Sequence, residues 1–180
     1  TIVTRHRSRV PCTRVGAAVW PWLPTWARLV HMTDAASDKV ISGIRFVPAA
    51  PQAIFDLLAD PTQHSTFDGS GSVKASIPPT SRLALGSKFS MSMKIGVPYK
   101  ITNEVVEFDE PSLIAWRHVG RHIWRYRLRP VDGGTEVTEE FDFRHARSAA
   151  FLRLTGAPKR NANAIEATLD RLAAHFRPTP

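Results

Sequence analysis

Hydrophobic and polar residues alternate along most of residues 86–143. A period of two is typical of strands that bury one face. Turn residues interrupt the alternation at residues 96–98, 109–111, 120 and 132–134. The segments between these turns are too short to contain a crossover helix. The pattern therefore predicts an antiparallel meander.

One further strand and two short helices are predicted before the meander. Residues 39–47 alternate in the same way, which indicates a strand. A helix is expected to begin at Pro51, because proline suits the first turn of a helix, and to end at Asp60-Pro61, where a second short helix begins. The apolar face of the first helix would consist of Ile54, Phe55, Leu57 and Leu58.

A long helix is predicted after the meander. Residues 144–176 are rich in alanine, leucine and arginine, with apolar residues at helical spacing. Gly156 and Pro158 are expected to kink this helix or to restart it. A helix with one apolar face needs a surface to pack on, and the predicted sheet provides one. The apolar stripe consists of Ala162, Ile165, Leu169, Leu172 and Phe176.

The Asp-Gly pair at residues 132–133 predicts a two-residue hairpin turn. A turn at residues 133–134 instead would shift the partners but leave each residue on the same face. With the first turn, the facing pairs are Tyr126 with Glu139, Trp124 with Phe141 and Leu128 with Val137 on one face, and Arg125 with Glu140, Arg127 with Thr138 and Arg129 with Glu136 on the other.

The arginines of this hairpin are predicted to lie on its water-facing side, mostly opposite acids. Cross-strand pairs of opposite charge contribute roughly 0.2–1 kcal/mol each. The stretch from Arg121 to Pro130, which contains four arginines, therefore has partners within the chain and gives little support to nucleic-acid binding.

The preceding hairpin is predicted to turn through a three-residue loop, residues 119–121. That loop would put aromatic and polar side chains together on the face that carries Tyr126. Polar groups on an inward face must be paired or must line a cavity. The predicted pairs are His118 with His122, Trp116 with Trp124 and Ile114 with Tyr126.

The chain has 180 residues, of which 43% are hydrophobic, and a formal net charge of +8. This length and composition suit one domain with a real core. Residues 1–31 contain five arginines and no acid. Without them the rest of the chain has 19 basic and 16 acidic residues, so the excess charge is largely confined to this segment. The charge alone argues little for a polyanionic partner.

Residues 1–38 are predicted to be an N-terminal extension to a domain spanning residues 39–176. Three interpretations remain open for the extension: a basic targeting peptide, a disordered partner-binding tail, or a mis-assigned start with Met32 as the initiator. Pro21 and Pro24 interrupt the only apolar stretch that could serve in a secretory signal.

The positions of cysteine and of apolar residues indicate which covalent links, reactive sites and membrane segments to expect in the domain. The only cysteine, Cys12, lies in the extension, so the domain is expected to lack disulfides and thiolate sites. No apolar run approaches the roughly 20 residues of a membrane span. The expected location is cytoplasmic. Neither a cofactor nor a bound metal is expected.

The order of elements resembles the START-like superfamily, also called SRPBCC, and in particular its polyketide cyclase/dehydrase and lipid-transport branch. The resemblance extends over residues 39–176 and rests on the order and spacing of five phrases, "IFDLLADPTQHSTFDGSG", "GSKFSMSMK", "NEVVEFDEPSLIAWR", "RPVDGGTEVTEEFDF" and "LDRLAAHF". It implies an α+β helix-grip fold, in which a curved antiparallel sheet of about seven strands wraps around a long C-terminal helix. An apolar cavity would lie between them.

The first functional hypothesis is a carrier or sensor of a small hydrophobic ligand, such as a lipid, a polyketide or an aromatic metabolite. Such a protein needs volume and a few polar groups that orient the ligand. Methionine suits such a wall because it fills irregular space. The predicted ligand-binding residues are Phe67, Met91, Met93, Tyr99, Trp116, Trp124, Tyr126, Phe141, Asn161, Ile165 and Leu169.

The second hypothesis is an enzyme of the polyketide cyclase/dehydratase type. Glu139 is the candidate base, because burial would raise its pKa towards neutrality. Tyr126, with His118 or His122, would donate hydrogen bonds to a developing enolate. The family has no single catalytic constellation, so the resemblance assigns none of these roles.

Two other possibilities have less support. A protein- or RNA-interaction module would use the outer arginines or the basic extension, but acids are predicted to pair with those arginines. A zinc site formed by His118, His122 and Glu139 would lack a cysteine and a tight ligand spacing. The sequence leaves the oligomeric state open.

Overall fold

The computed structural model describes residues 39–77 and 81–177. The chain forms seven strands and four α-helices in that part, with a 3-10 turn, Pro61–Gln63, between the first two helices. The strands are β1 Val40–Val47, β2 Val73–Ile77, β3 Lys88–Ile95, β4 Val97–Asp109, β5 Leu113–His118, β6 Ile123–Val131 and β7 Gly134–Asp142. The helices are α1 Pro51–Ala59, α2 His64–Phe67, α3 Ala149–Leu154 and α4 Ala157–His175.

All seven strands join one antiparallel sheet in the order β1-β7-β6-β5-β4-β3-β2. The strands β2 to β7 follow one another as a meander, and β1 adds to the far edge beside β7. The long helix α4 packs on this sheet, mainly against β1. The predicted α+β helix-grip fold is confirmed.

The predicted hairpin registers are confirmed. Strands β6 and β7 turn at residues 132–133, and Gly133 has the positive φ of 76° that this turn requires. The β5–β6 hairpin turns through residues 119–121, where the His118 N–H donates to the His122 carbonyl at 3.1 Å. The observed pairs include Tyr126 with Glu139, Trp124 with Phe141, Trp116 with Trp124 and Arg125 with Glu140.

Strand β2 was not located by the alternation pattern. It has only five residues, and a register shift between Val73 and Ala75 interrupts its pairing with β3. The sequence VKASI does alternate, but the bulge breaks the match between that pattern and side-chain exposure, since Ala75 is exposed and Ser76 is partly buried. In the structure, β2 is identified by its hydrogen-bonded pairing with β3, a strand that the alternation did predict.

The helix boundaries follow local capping chemistry. The Asp60 carboxylate accepts the Thr62 N–H at 2.9 Å, and Pro61 occupies the first position of the turn that follows. Near the C-terminus, Gly156 adopts a left-handed conformation with φ of 67° between α3 and α4. Of the two outcomes predicted at Gly156 and Pro158, the structure therefore shows a restart.

Two glycines allow the chain to approach α4 closely. A Cβ at Gly43 of β1 would lie 2.7 Å from the Ile165 side chain, and a Cβ at Gly69 would collide with the backbone of Ala164 and Thr168. The Gly69 N–H donates to Thr168 Oγ1 at 2.9 Å. These contacts hold the C-terminal half of α4 between β1 and the loop after α2.

Arg125 lies on the outer face of the sheet, as predicted, but the prediction that its side chain is exposed to water is wrong. Its side chain is only 7% exposed, and it bonds Glu107 at 2.8 Å and Glu140 at 2.7 Å. The side chain reaches Glu107 on β4 across Ala115, the small residue between them on β5. Arg129 is 66% exposed and pairs with Glu136 as predicted.

The predictions for residues 1–38, including Cys12 and the start at Met32, lie outside the described residues. Within the described part of the chain, the helices include none that is both long and apolar enough to cross a membrane.

Candidate ligand-binding cavity

A cavity of about 420 Å³ lies between the inner face of the sheet and helices α2, α3 and α4. This volume falls within the range of pockets that hold small organic molecules. The strands β3 to β7 contribute alternate residues to its walls because side chains on a strand alternate between two faces. The aromatic and methionine side chains of these strands make most of the wall apolar.

The sequence of α4 explains why space remains there. The residues of α4 that line the cavity are small or polar, whereas the larger Ile165 and Leu169 are turned towards β1. The helix therefore fills the core on one side and leaves a gap on the other. Its lining residues are Ala157, Arg160, Asn161, Ala164 and Thr168.

Most residues predicted for the site lie together in the structure. Ile165 and Leu169 do not line the cavity, because their side chains pack against Gly43 in the core and are at most 1% exposed. The predicted residues that line the cavity are Phe67, Met91, Met93, Tyr99, Trp116, His118, His122, Trp124, Tyr126, Glu139, Phe141 and Asn161.

Sequence reasoning missed several polar lining residues. Asn103 alternates in phase with the inward-facing Val105 on β4, so its position was accessible from the pattern. His64 and Asp68 belong to a four-residue helix and the loop behind it, where periodicity carries little information. The other missed residues with polar side chains are Ser70, Ser72, Lys94, Arg160 and Thr168.

Glu139 and Tyr126 form a buried pair in the cavity wall. The Tyr126 hydroxyl donates to Glu139 Oε1 at 2.8 Å, and these residues are 3% and 2% exposed. Burial raises the pKa of Glu139 well above its ordinary value, and the nearby charge of Asp68 adds to this. Burial likewise raises the pKa of Tyr126. Both shifts favour the uncharged form of the group.

Glu139 Oε2 has no hydrogen-bond partner among the described residues. An unsatisfied polar atom in a protein interior costs roughly 1–3 kcal/mol, which is why such atoms are rare in folded proteins. In the protonated state this carboxyl group offers a hydrogen-bond donor to whatever occupies the cavity.

His64 adds a neutral imidazole to the same wall. Its Nε2–H donates to the Leu58 carbonyl at 2.8 Å, which leaves Nδ1 as an acceptor. Burial lowers the pKa of His64 to about 4. The ring stacks on Trp116 with centroids 5.0 Å apart, so its orientation is fixed by packing as well as by the hydrogen bond.

His118 and His122 form a second imidazole group, at the β5–β6 turn. Their rings stack with centroids 4.6 Å apart, and the Gly120 N–H donates to His118 Nδ1 at 3.0 Å. Burial lowers the pKa of His122 to about 4, and burial also lowers that of His118. Both rings are neutral at physiological pH, which lets them lie in contact.

Asp68 is the other acid in the cavity lining. Its carboxylate accepts the Ser70 N–H at 3.1 Å, the Ser70 hydroxyl at 2.7 Å and the Val73 N–H at 2.9 Å. Hydrogen bonds from three donors hold this carboxylate in the loop between α2 and β2. Asp68 is thus bonded to its own loop, whereas Glu139 has an atom free for a ligand.

The described residues contain no group of three histidine, cysteine, aspartate or glutamate side chains close enough to hold a metal ion. His118, His122 and Glu139 therefore do not form the three-ligand set considered from the sequence. What the cavity offers is an apolar enclosure with neutral hydrogen-bonding groups at its inner end. Such a site binds an uncharged polar group or exchanges a proton with it.

The family model for polyketide cyclase / dehydrase and lipid transport matches residues 40–177. Two curated relatives are uncharacterized proteins of Mycobacterium tuberculosis. Rv0088 of strain ATCC 25618 / H37Rv is 39% identical over 155 residues, which cover 82% of this chain and 68% of that protein. MT0096 of strain CDC 1551 / Oshkosh is 38% identical over the same shares.

Solved structures share the fold at low sequence identity. Protein Ms6760 from Mycobacterium smegmatis superposes with a TM-score of 0.60 at 19% identity, over 80% of this chain and 96% of that one. Protein CV1439 from Chromobacterium violaceum superposes with a TM-score of 0.62 at 16% identity, over 79% of this chain and 99% of that one. An AHSA1-like protein from Aeromonas hydrophila superposes with a TM-score of 0.56 at 16% identity, over 78% of this chain and 97% of that one. The chain belongs to the polyketide cyclase/dehydrase and lipid transport family, within the START-like superfamily that its pattern of strands and helices indicated.

Proposed function

We propose that this protein binds a small, mainly hydrophobic molecule in the cavity between the sheet and α4, as a carrier or a sensor. The observation that carries the proposal is the partly open cavity of about 420 Å³ with aromatic and methionine walls. An empty apolar cavity of this size costs the fold packing contacts, and a ligand would restore them. Family membership agrees with a binding role and does not identify the ligand.

The inner end of the cavity indicates that the ligand carries an uncharged polar atom there. Glu139 Oε2 lacks a partner, and the Asn103 side chain, 3% exposed, makes no hydrogen bond to any residue the structure describes. An amide offers both donors and an acceptor, and a protonated carboxyl offers a donor. A carbonyl or hydroxyl oxygen would satisfy these groups, while a carboxylate there would lie near the charge of Asp68.

A second candidate function is a proton-transfer enzyme of the cyclase or dehydratase type. The observation that favours it is the buried Glu139–Tyr126 pair with its raised pKa values. Because burial favours the protonated form of Glu139, this residue would act first as an acid, whereas its inward position in the sequence pattern suggested a base. Glu139→Gln would leave the affinity of a carrier within a few-fold but abolish the turnover of an enzyme.

Native mass spectrometry after gentle purification tests the binding function. We expect an adduct whose mass matches one small organic molecule per chain and which disappears on unfolding. The fluorescent probe 1-anilinonaphthalene-8-sulfonate should bind the emptied protein, and Trp116→Ala in the wall should change its affinity. A clean mass for the protein alone, together with no binding of the probe, would contradict the proposed function.

A further inference from the structure

The outer end of the cavity differs from its inner end in charge. Arg160, on the first turns of α4, is the only arginine among the described residues that line the cavity, and it is exposed. Lys94, at the exposed end of β3, is the only lysine among the described residues that line the cavity. The guanidinium of Arg160 therefore places a permanent positive charge at the exposed end of the cavity.

Arg160 has no acidic partner among the residues described here. Its Nη1 donates only to the Thr155 carbonyl, over a long 3.4 Å. The arginines on the outer face of the sheet differ in this respect, since Arg117, Arg125 and Arg129 each contact a carboxylate within 3 Å. At the cavity opening, the guanidinium keeps most of its five N–H donors available.

Two neutral polar groups accompany Arg160 at this end. Tyr99 on β4 lines the same cavity and is 41% exposed. Asn161 follows Arg160 on the helix and also lines the cavity. A guanidinium, a phenol and an amide together match the oxygens of a carboxylate or a phosphate.

Both acids of the lining are at the other end. The loop that holds Asp68 is bonded to α4 at Thr168, eight residues after Arg160, and eight residues of helix span about 12 Å. Glu139 pairs with Gly43, which contacts α4 at Ile165. Among the described residues, Asp68 and Glu139 are the only acids of the lining, and about two turns of α4 separate Arg160 from the contact with the Asp68 loop.

We propose that the natural ligand is an amphipathic anion bound with its acidic group outward, against Arg160, Tyr99 and Asn161, and its apolar body inside. This inference rests on the proposed binding function and adds the ligand class and its orientation. A ligand placed this way keeps its charge at the wet end of the site, where a guanidinium neutralises it. Its apolar part replaces the missing contacts of the walls.

Isothermal titration calorimetry with three ten-carbon probes tests the inference. Decanoate and decyl phosphate carry the two acidic groups, and 1-decanol has the same chain without charge. We expect at least one acid to bind the intact chain more tightly than 1-decanol and to bind more weakly as salt increases. In Arg160→Gln that acid should lose at least about tenfold in affinity, which corresponds to one charge-assisted contact, while 1-decanol stays within twofold.

Lys159→Gln is the matched control, because Lys159 is the exposed neighbour with the same charge and does not line the cavity. It should leave all three affinities within twofold. The inference is overturned if no acid binds more tightly than 1-decanol, if Arg160→Gln weakens all three probes equally or none, or if Lys159→Gln has the same effect. If these probes fail but the uncharged dye N-phenyl-1-naphthylamine binds, only the ligand class is wrong. If no probe binds, the proposed function is wrong as well.

Discussion

Glu139 combines features that rarely coexist in a folded protein. It is 2% exposed, it hydrogen-bonds Tyr126 through one oxygen, and its other oxygen has no partner among the described residues. An ionised carboxylate in this place would lose most of its hydration, so burial favours the protonated form and raises the pKa of Glu139. The fold therefore spends stability on keeping a hydrogen-bond donor inside the cavity.

The pH dependence of stability should reveal this protonated state. A glutamate in an unfolded chain ionises at about pH 4.3, whereas Glu139 keeps its proton to higher pH in the folded chain. The folded state then binds more protons, so the free energy of unfolding should decrease as pH rises above that value, by at most about 1.4 kcal/mol per pH unit for this group.

Glu139→Gln removes this titration and keeps the acceptor for Tyr126. Urea unfolding at pH 4, 5, 6 and 7 should show the variant gaining stability relative to the original chain as pH rises. All other titrating groups are common to both proteins, so the difference isolates Glu139. Parallel pH profiles would show that Glu139 ionises normally and would contradict its buried, neutral state.

Alternation along the strands was enough to predict the inward position of Glu139, Tyr126 and the two histidines of the β5–β6 turn. It was not enough for His64, whose place depends on a helix of one turn and on a bond to the Leu58 carbonyl. A contact between a side chain and a distant backbone atom leaves no periodic trace in the sequence. Residues of this kind became visible only in the structure.

Strand β6 shows how neighbouring strands change the meaning of a sequence pattern. The pattern predicted arginines facing acids, and the pairs Arg125 with Glu140 and Arg129 with Glu136 are present. It did not predict that Arg125 also reaches Glu107, two strands away, across the small Ala115. A prediction of which residues pair between β6 and β7 cannot account for this contact, because the contact depends on the small size of Ala115 on β5.

The two arginines of β6 should therefore differ in their effect on stability. Arg125→Met leaves several carboxylates without their buried partner and should cost about 3–5 kcal/mol. Arg129→Met breaks an exposed pair and should cost less than about 1 kcal/mol. Urea unfolding at pH 7 measures both values under the same conditions. Similar losses in the two variants would mean that the burial of Arg125 contributes nothing.

Helix α4 was predicted to have a single apolar stripe, but in the structure one side packs in the core and the adjacent side lines the cavity. Ile165 and Leu169 pack on β1, and the adjacent side, with Asn161 and Thr168, lines the cavity. Helical spacing identifies the buried stripe without showing which part of the protein it meets. For this reason the two large residues were assigned to the ligand, although they belong to the core.

At the scale of the whole molecule, the fold could be predicted because many weak signals agreed in order and spacing. The alternation, the turn residues and the C-terminal stripe each indicate one element, and together they indicate the helix-grip arrangement. The cavity followed only through the family resemblance, since its volume depends on how far α4 stands from the sheet. No local pattern encodes that distance.

The predicted domain boundary can be tested by shortening the chain. A protein that begins at Met32 retains every described strand and helix, so it should unfold cooperatively with a melting temperature changed by less than ~2 °C. Circular dichroism of both chains during heating gives this comparison. A non-cooperative transition in the shortened chain would show that residues 1–31 belong to the folded unit.

The alternation of β6 also bears on how such proteins diversify. Its outward arginines hold neighbouring strands together, and its inward Trp124 and Tyr126 form walls of the cavity. Among the described residues these two sets share no ion pair or hydrogen bond. Under the proposed binding function, substitutions of the inward side chains would change which ligand fits, while the outward network continues to specify the same sheet. The outer face of β6 thus maintains the sheet, and its inner face would determine which ligand fits.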